Sequence, residues 1–242
     1  MEKAISSSSA GRSVAGRDRR PVGFFDSGVG GRCILDAFRR LCPQEDTRYI
    51  ADSENCPYGN KPPDEIIALS EACVKRLIAE GCKLVVIVCN TATASAIDYL
   101  REKYPELPFV GLEPAVKPAV LNSKSSVVAI LATQGTFNGR LYRETTARFA
   151  GNTVVLAVVA DEFVTMVERG ETSGPDAEAA VRRRIEPLIA AGADHIVLGC
   201  THFPHLKHLI AKVADGRAEI VDPSEAVARR VKAVLEERGI SA

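Results

Sequence analysis

Along this chain, short apolar runs rich in Val and Ile alternate with longer segments whose apolar positions recur at helical spacing. The runs VGFF (22–25), TRYIA (47–51), LVVIV (84–88), FVGL (109–112), SVVAILA (126–132), TVVLAVV (153–159), HIVLG (195–199) and EIV (219–221) predict mostly buried strands. IIALSEACVKRLIAEG, AEAAVRRRIEPLIAAG and SEAVARRVKAVLEERG predict amphipathic helices that end at glycine. Such alternation implies an α/β fold with parallel sheet covered by helices. In folds of this kind the ligand lies beyond the carboxyl ends of the strands.

One internal match goes further. LIAEGCKLVVIVC (77–89) aligns without a gap on LIAAGADHIVLGC (188–200), pairing Leu77 with Leu188, Ile78 with Ile189, Ala79 with Ala190, Gly81 with Gly192, Val86 with Val197 and Cys89 with Cys200. A helix, a glycine and a buried strand recur in any α/β protein, so part of this match is generic. The cysteine is not, because both copies place it at the carboxyl end of a strand. The expectation is therefore two similar, pseudo-twofold related lobes that present two thiols to one cleft. Chain order assigns residues 21–112 and 223–242 to the first lobe and 113–222 to the second. A discontinuous lobe needs at least two crossings, and crossings of that kind can act as a hinge.

Composition narrows the partners. The 31 Lys and Arg cancel the 31 Asp and Glu, so no global field draws the chain to nucleic acid. Seven widely spaced cysteines without a CxxC pair argue against a disulfide framework or a tetrathiolate zinc site and fit a reducing cytoplasm. Residues 1–20, MEKAISSSSAGRSVAGRDRR, lack the apolar core of a signal peptide and are expected to form a disordered tail. No apolar run approaches the roughly 20 residues of a membrane span. A soluble, cytoplasmic protein is expected.

The chemistry gathers at three places. NTATASAIDYL follows Cys89 and THFPHLKHLI follows Cys200; read as helix starts, they place the amides of Asn90, Thr91, Thr201 and His202 where an anion would bind. The same position makes a thiolate accessible near neutral pH. FFDSGVGG (24–31) is neither a Walker loop nor a dinucleotide fingerprint, but it brings Asp26 and Ser27 to the same end of the sheet as Cys89. A carboxylate there could accept a proton or tune the thiol. A competing reading takes Cys200, His202, His205 and His208 as four metal ligands. Against it, Pro204 constrains the turn and His195 lies at the far end of its strand.

With DSGVGG, CPYGNK (56–61), CNTATA (89–94), GLEPAVKPA (111–119), ATQGTFN (132–138) and GCTHFPHL (199–206) in order, the chain from about Val22 to residue 231 resembles the glutamate racemase family of the aspartate/glutamate racemase superfamily. The resemblance implies a cofactor-independent isomerase that interconverts L- and D-glutamate for peptidoglycan, and so for the cell wall and cell shape. It makes Cys89 and Cys200 the catalytic acid/base pair, with Asp26, His202 and Glu168 assisting. Ser27, Tyr58, Gly59, Asn90, Thr91, Thr133 or Thr136, and Thr201 become substrate contacts. It implies no metal and no cofactor, and it admits a homodimer. One departure stands beside Glu168, where VADEFVTM replaces the Cys-Pro that many family members carry.

Inverting an α-carbon means removing its proton from one face and returning one to the other, which two opposed thiols can do in either direction. Amide and hydroxyl donors would stabilise the carbanion-like intermediate. Other readings stay open: an aspartate or hydantoin racemase, a metal-binding protein, or a ligand-binding protein without catalysis.

Overall fold

The computed structural model describes residues 17–242. In chain order the first half runs β1 (Val22–Asp26), α1 (Arg32–Leu41), β2 (Thr47–Ala51), α2 (Pro63–Ala79), β3 (Leu84–Ile87), α3 (Asn90–Lys103) and β4 (Phe109–Gly111). There follow α4 (Val116–Asn122), β5 (Val127–Ala132), α5 (Gln134–Phe137), α6 (Arg140–Phe149), β6 (Val154–Val159), α7 (Asp161–Glu168), α8 (Pro175–Ala190), β7 (His195–Leu198), α9 (Lys207–Ala214), β8 (Glu219–Val221) and α10 (Ser224–Glu237).

The strands form two parallel four-stranded sheets, ordered β2-β1-β3-β4 and β6-β5-β7-β8. The two orders are the same pattern repeated, and β3 and β7 occupy equivalent places in them. Gly81 and Gly192, which end the helices before those strands, both take positive φ (+76° and +86°), a backbone that L side chains rarely adopt. The internal match of the sequence is thus a match of architecture.

Alternation along the central strands distributes the core. Leu84, Val86 and Val88 pack with Val22 and Phe24 beneath α1 and α10, while Val85 and Ile87 join Phe25 on the α2 and α3 face. The second sheet repeats the arrangement: Ile196 and Leu198 face α8 and α9, and Val197 joins Val128 and Ile130 beside α4. Each fully buried Leu or Phe of this kind contributes about 1.5–3 kcal/mol relative to exposure. The central strands match the expectation of complete burial. The edge strands β2, β6 and β8 do not; Val154 of β6 is 53% exposed.

Residues 1–16 of the expected tail lie outside the described residues. Its inner end is tied down. The Asp18 amide donates to the Ser241 carbonyl (3.2 Å), and Lys83 Nζ donates to the Asp18 carbonyl while pairing with Glu45 at 2.7 Å. The pair is fully buried, where an ion pair needs further hydrogen bonds to offset its desolvation. The Ala242 amide also donates to Glu45, so both ends of the described chain converge there. No described helix is long and apolar enough to cross a membrane.

Candidate active site

Both repeated cysteines open onto one small cavity between the two sheets. The room left in it is about 10 Å³, on the order of a single water molecule, so the site is closed and must widen to admit an amino acid. Ser27, Tyr58, Gly59, Cys89, Asn90 and Thr91 line it from the first half of the chain, and Thr133, Cys200, Thr201 and His202 from the second. Asp26 and Glu168 lie behind this wall and Thr136 behind Thr133; Pro57 and Val164 complete it.

Cys89 leaves β3 and becomes the cap of α3, where its Sγ accepts the Ala92 amide at 3.4 Å. The Ser27 hydroxyl lies 3.3 Å from the same sulfur. Burial nevertheless pushes the Cys89 thiol up to about 12, and the nearby Asp26 charge adds to that rise. In the closed site, Cys89 is therefore a thiol.

Cys200 has different neighbours. No α-helix begins at Thr201 and His202; a tight turn over Phe203–Leu206 intervenes, and α9 starts only at Lys207. The expected pair of helix-terminal amides is thus absent on this side, because Pro204 fits the first turn of a 3₁₀ segment and the chain needs that segment before it can lie along the sheet. An imidazole takes their place. His202 Nδ1 is 3.7 Å from Cys200 Sγ, and its Nε2 lies 2.5 Å from Glu168 Oε1. The Val29 amide, from the other lobe, donates to the same Glu168 oxygen at 2.8 Å. Burial opposes charge on His202, but its contacts with Cys200, Cys56 and Glu168 outweigh that and hold the ring well above its ordinary value. The His202 contact in turn holds Glu168 below the usual carboxylate range.

Asp26 sits fully buried between the two halves. Its carboxylate accepts the Ser27 amide (2.9 Å), the Gly31 amide (2.6 Å) and the Thr201 hydroxyl (3.4 Å). Burial raises it to about 6, against the opposing pull of His202 and the two amides. The glycine-rich turn is needed for this fit: a Cβ at Gly31 would stand 3.2 Å from Asp26 Oδ2 and 2.5 Å from a Val88 methyl.

The remaining predicted contacts differ in their freedom. Thr91 and Thr133 share a hydroxyl hydrogen bond of 2.8 Å across the lobes, and Thr136 bonds Thr133 at 2.9 Å from outside the cavity. The Gly59 carbonyl accepts the Gly135 amide (3.1 Å), another crossing contact. The Tyr58 hydroxyl is committed to Asp52 (2.6 Å), so its ring is what borders the cavity. Asn90 is the reverse case: 4% exposed, with neither its carboxamide oxygen nor its nitrogen bonded to protein. A buried unpaired amide costs about 1–3 kcal/mol, which a polar ligand would recover.

The four-ligand reading of the histidine-rich stretch does not assemble. His205 Nε2 turns to the Gly30 carbonyl (3.3 Å) and Cys33 Sγ (3.6 Å), and His208 borders a surface groove between α8 and α9. His195 pairs with Asp194 at the opposite end of β7. Cys56, which CPYGNK sets close to Tyr58 and so near the cleft, lies beside Glu168 and His202; sequence reasoning missed Val164, one turn before Glu168 on α7. Val164 had a signal in the helical spacing of FVTMVERG.

Comparison with known proteins agrees with this geometry. The profile of the Asp/Glu/Hydantoin racemase family matches residues 32–231. A glutamate racemase of Roseiflexus sp. (strain RS-1) is 43% identical over 94% of this chain and 84% of its own length. Among solved structures, glutamate racemase from Francisella tularensis subsp. tularensis SCHU S4 in complex with D-glutamate superposes with a TM-score of 0.82 at 30% identity, covering 93% of this chain and 84% of that one. Escherichia coli glutamate racemase in complex with L-glutamate and the activator UDP-MurNAc-ala gives 0.82 at 34% identity, covering 90% and 83%. With two thiols facing one buried cavity and relatives matched over nearly its whole length, the chain belongs to the Asp/Glu/Hydantoin racemase family and, within it, to the glutamate racemases.

Proposed function

We propose that this protein interconverts L- and D-glutamate by deprotonation and reprotonation at the α-carbon, with Cys89 and Cys200 as the two acid/base groups. The observation that carries the reading is that both thiols, one from each sheet, line the same buried cavity. One sulfur takes the α-proton as thiolate while the other, as thiol, delivers a proton to the opposite face; reversing the direction swaps the two roles. The substrate's ammonium group brings positive charge beside Cys89 and so offsets the burial that keeps it protonated.

Asp26 serves the Cys89 side. His202, oriented by Glu168, serves the Cys200 side. The hydroxyls of Ser27, Thr91, Thr133 and Thr201 and the carboxamide of Asn90 bind substrate and stabilise the carboxylate as charge builds on it. Thr136 supports Thr133, while Tyr58 and Gly59 shape the wall. Contacts between the halves, Val29 with Glu168 and Thr91 with Thr133, close the cavity, so glutamate enters when the lobes part. The moving bodies are residues 21–112 with 223–242, and residues 113–222. In the cell the reaction would supply D-glutamate for peptidoglycan from the cytoplasm, and a homodimer is compatible with it.

The test is turnover of each glutamate enantiomer beside each aspartate enantiomer, followed by α-proton exchange in deuterated water. Rapid exchange and inversion of glutamate supports the reading. Exchange of aspartate with none of glutamate transfers the assignment to aspartate, and tight glutamate binding without exchange makes the protein a binding module.

A further inference from the structure

His202 turns Nδ1 toward Cys200, and its other nitrogen belongs to a second cluster. Nε2 of His202, a carboxylate oxygen of Glu168 and Sγ of Cys56 all lie within 4.8 Å of one another. Neither Glu168 nor Cys56 lines the substrate cavity, and both are partly exposed. The cluster can pack this closely on the glycine-rich turn because residue 28 is glycine: a Cβ there would collide with Glu168 Oε1 and stand 3.1 Å from Cys56 Sγ.

A thiolate, an imidazole and a carboxylate form a donor set suited to Zn2+, whereas Mg2+ and Ca2+ prefer oxygen alone. We propose that Cys56, Glu168 and His202 form an inhibitory site for a thiophilic divalent cation of the Zn2+ class, sharing only His202 with the substrate cavity. The proposal rests on the reading of His202 as the partner of Cys200. On binding, the cation displaces the Cys56 thiol proton and the proton held between Nε2 and Glu168, and both leave to solvent. Water completes the coordination. His202 then keeps a single proton, on Nδ1, and can no longer pass between its two charge states, so the Cys200 half of the reaction stops while Cys89 is untouched.

The test uses Zn2+ and Co2+ as probes on the full chain. Low micromolar free Zn2+ should slow wild-type racemisation by about tenfold or more, with recovery on adding a chelator and no effect of equal Mg2+. Cys56→Ser, measured against its own metal-free rate, should need at least about tenfold more Zn2+ for the same fractional loss. Equal sensitivity of wild type and Cys56→Ser overturns the proposal, since it places the cation on the Cys89 and Cys200 thiols. A second readout does not depend on activity. The Cys89→Ala/Cys200→Ala protein should bind one Co2+ with a thiolate-to-cobalt absorption band, and adding Cys56→Ser should abolish that band. Failure of the double variant to show the band contradicts the cation site whether or not the protein racemises glutamate.

Discussion

Cys89 and Cys200 follow equivalent strands of equivalent sheets, yet Cys89 is held by a backbone amide and a hydroxyl while Cys200 is held by an imidazole backed by a carboxylate. Cys89 caps a helix directly; Cys200 is separated from its helix by a turn that makes room for His202. Duplication explains why there are two thiols and why they face each other. Under the proposed two-thiol reaction, their differing neighbours would tune each for proton transfer, since an acid/base pair that must exchange roles needs a proton reservoir on each side. In the proposed mechanism Asp26 fills that place on one side and the His202–Glu168 pair on the other.

The largest perturbation removes one member of the comparison. Cys89→Ala and Cys200→Ala should each lower racemisation by about 10³-fold or more, within the range of general acid/base contributions, as followed by polarimetry. His202→Asn should come next, at about 10²-fold. The two enantiomers have equal energy in water, so kcat/KM must fall equally in both directions for this variant. The asymmetry should show instead in kcat, and in a larger primary isotope effect in the one direction that makes Cys200 the base. Equal effects on kcat and on isotope effects in both directions would remove the distinction drawn between the two sides.

Asn90 tests the binding wall shared by both thiols. Because its buried carboxamide has no protein partner, Asn90→Leu should raise KM for glutamate by about tenfold or more, while raising the stability of the free protein by about 1 kcal/mol in denaturant melts. The Asp26 side has a pH signature. Burial lifts this carboxyl above its ordinary value to about 6, so it is ionised above that pH and protonates below it. kcat/KM should therefore fall as pH drops through about 6, and the low residual rate of Asp26→Asn should lack this limb. The smallest effect is expected for Ser27→Ala, about fivefold, the equivalent of one hydrogen bond of roughly 1 kcal/mol to the Cys89 sulfur.

Much of this contrast was legible in the sequence and part was not. The gap-free match of 77–89 on 188–200 placed two cysteines at two strand ends, because strand length and the glycine that ends each preceding helix are local properties. The turn after Cys200 was harder to read. THFPHLKHLI has helical spacing, and only Pro204 hinted that its first turn is wound more tightly. TVVLAVV reads as a buried strand by composition, yet it lies at a sheet edge, a matter of pairing that no local pattern records. The commitment of the Tyr58 hydroxyl to Asp52, and the approach of Cys56 to His202, depend on contacts across loops and across the lobes. Spacing along the chain carries no trace of either.

The most direct test of the two-thiol account is α-proton exchange by the single-thiol variants, incubated with each glutamate enantiomer in deuterated water and followed by NMR. Each variant retains one base on one face of the α-carbon. Cys89→Ala and Cys200→Ala should therefore each wash deuterium into only one enantiomer, a different one for each variant, without inverting it. Full racemisation by either variant, or exchange of the same enantiomer by both, would contradict the assignment of Cys89 and Cys200 to opposite faces.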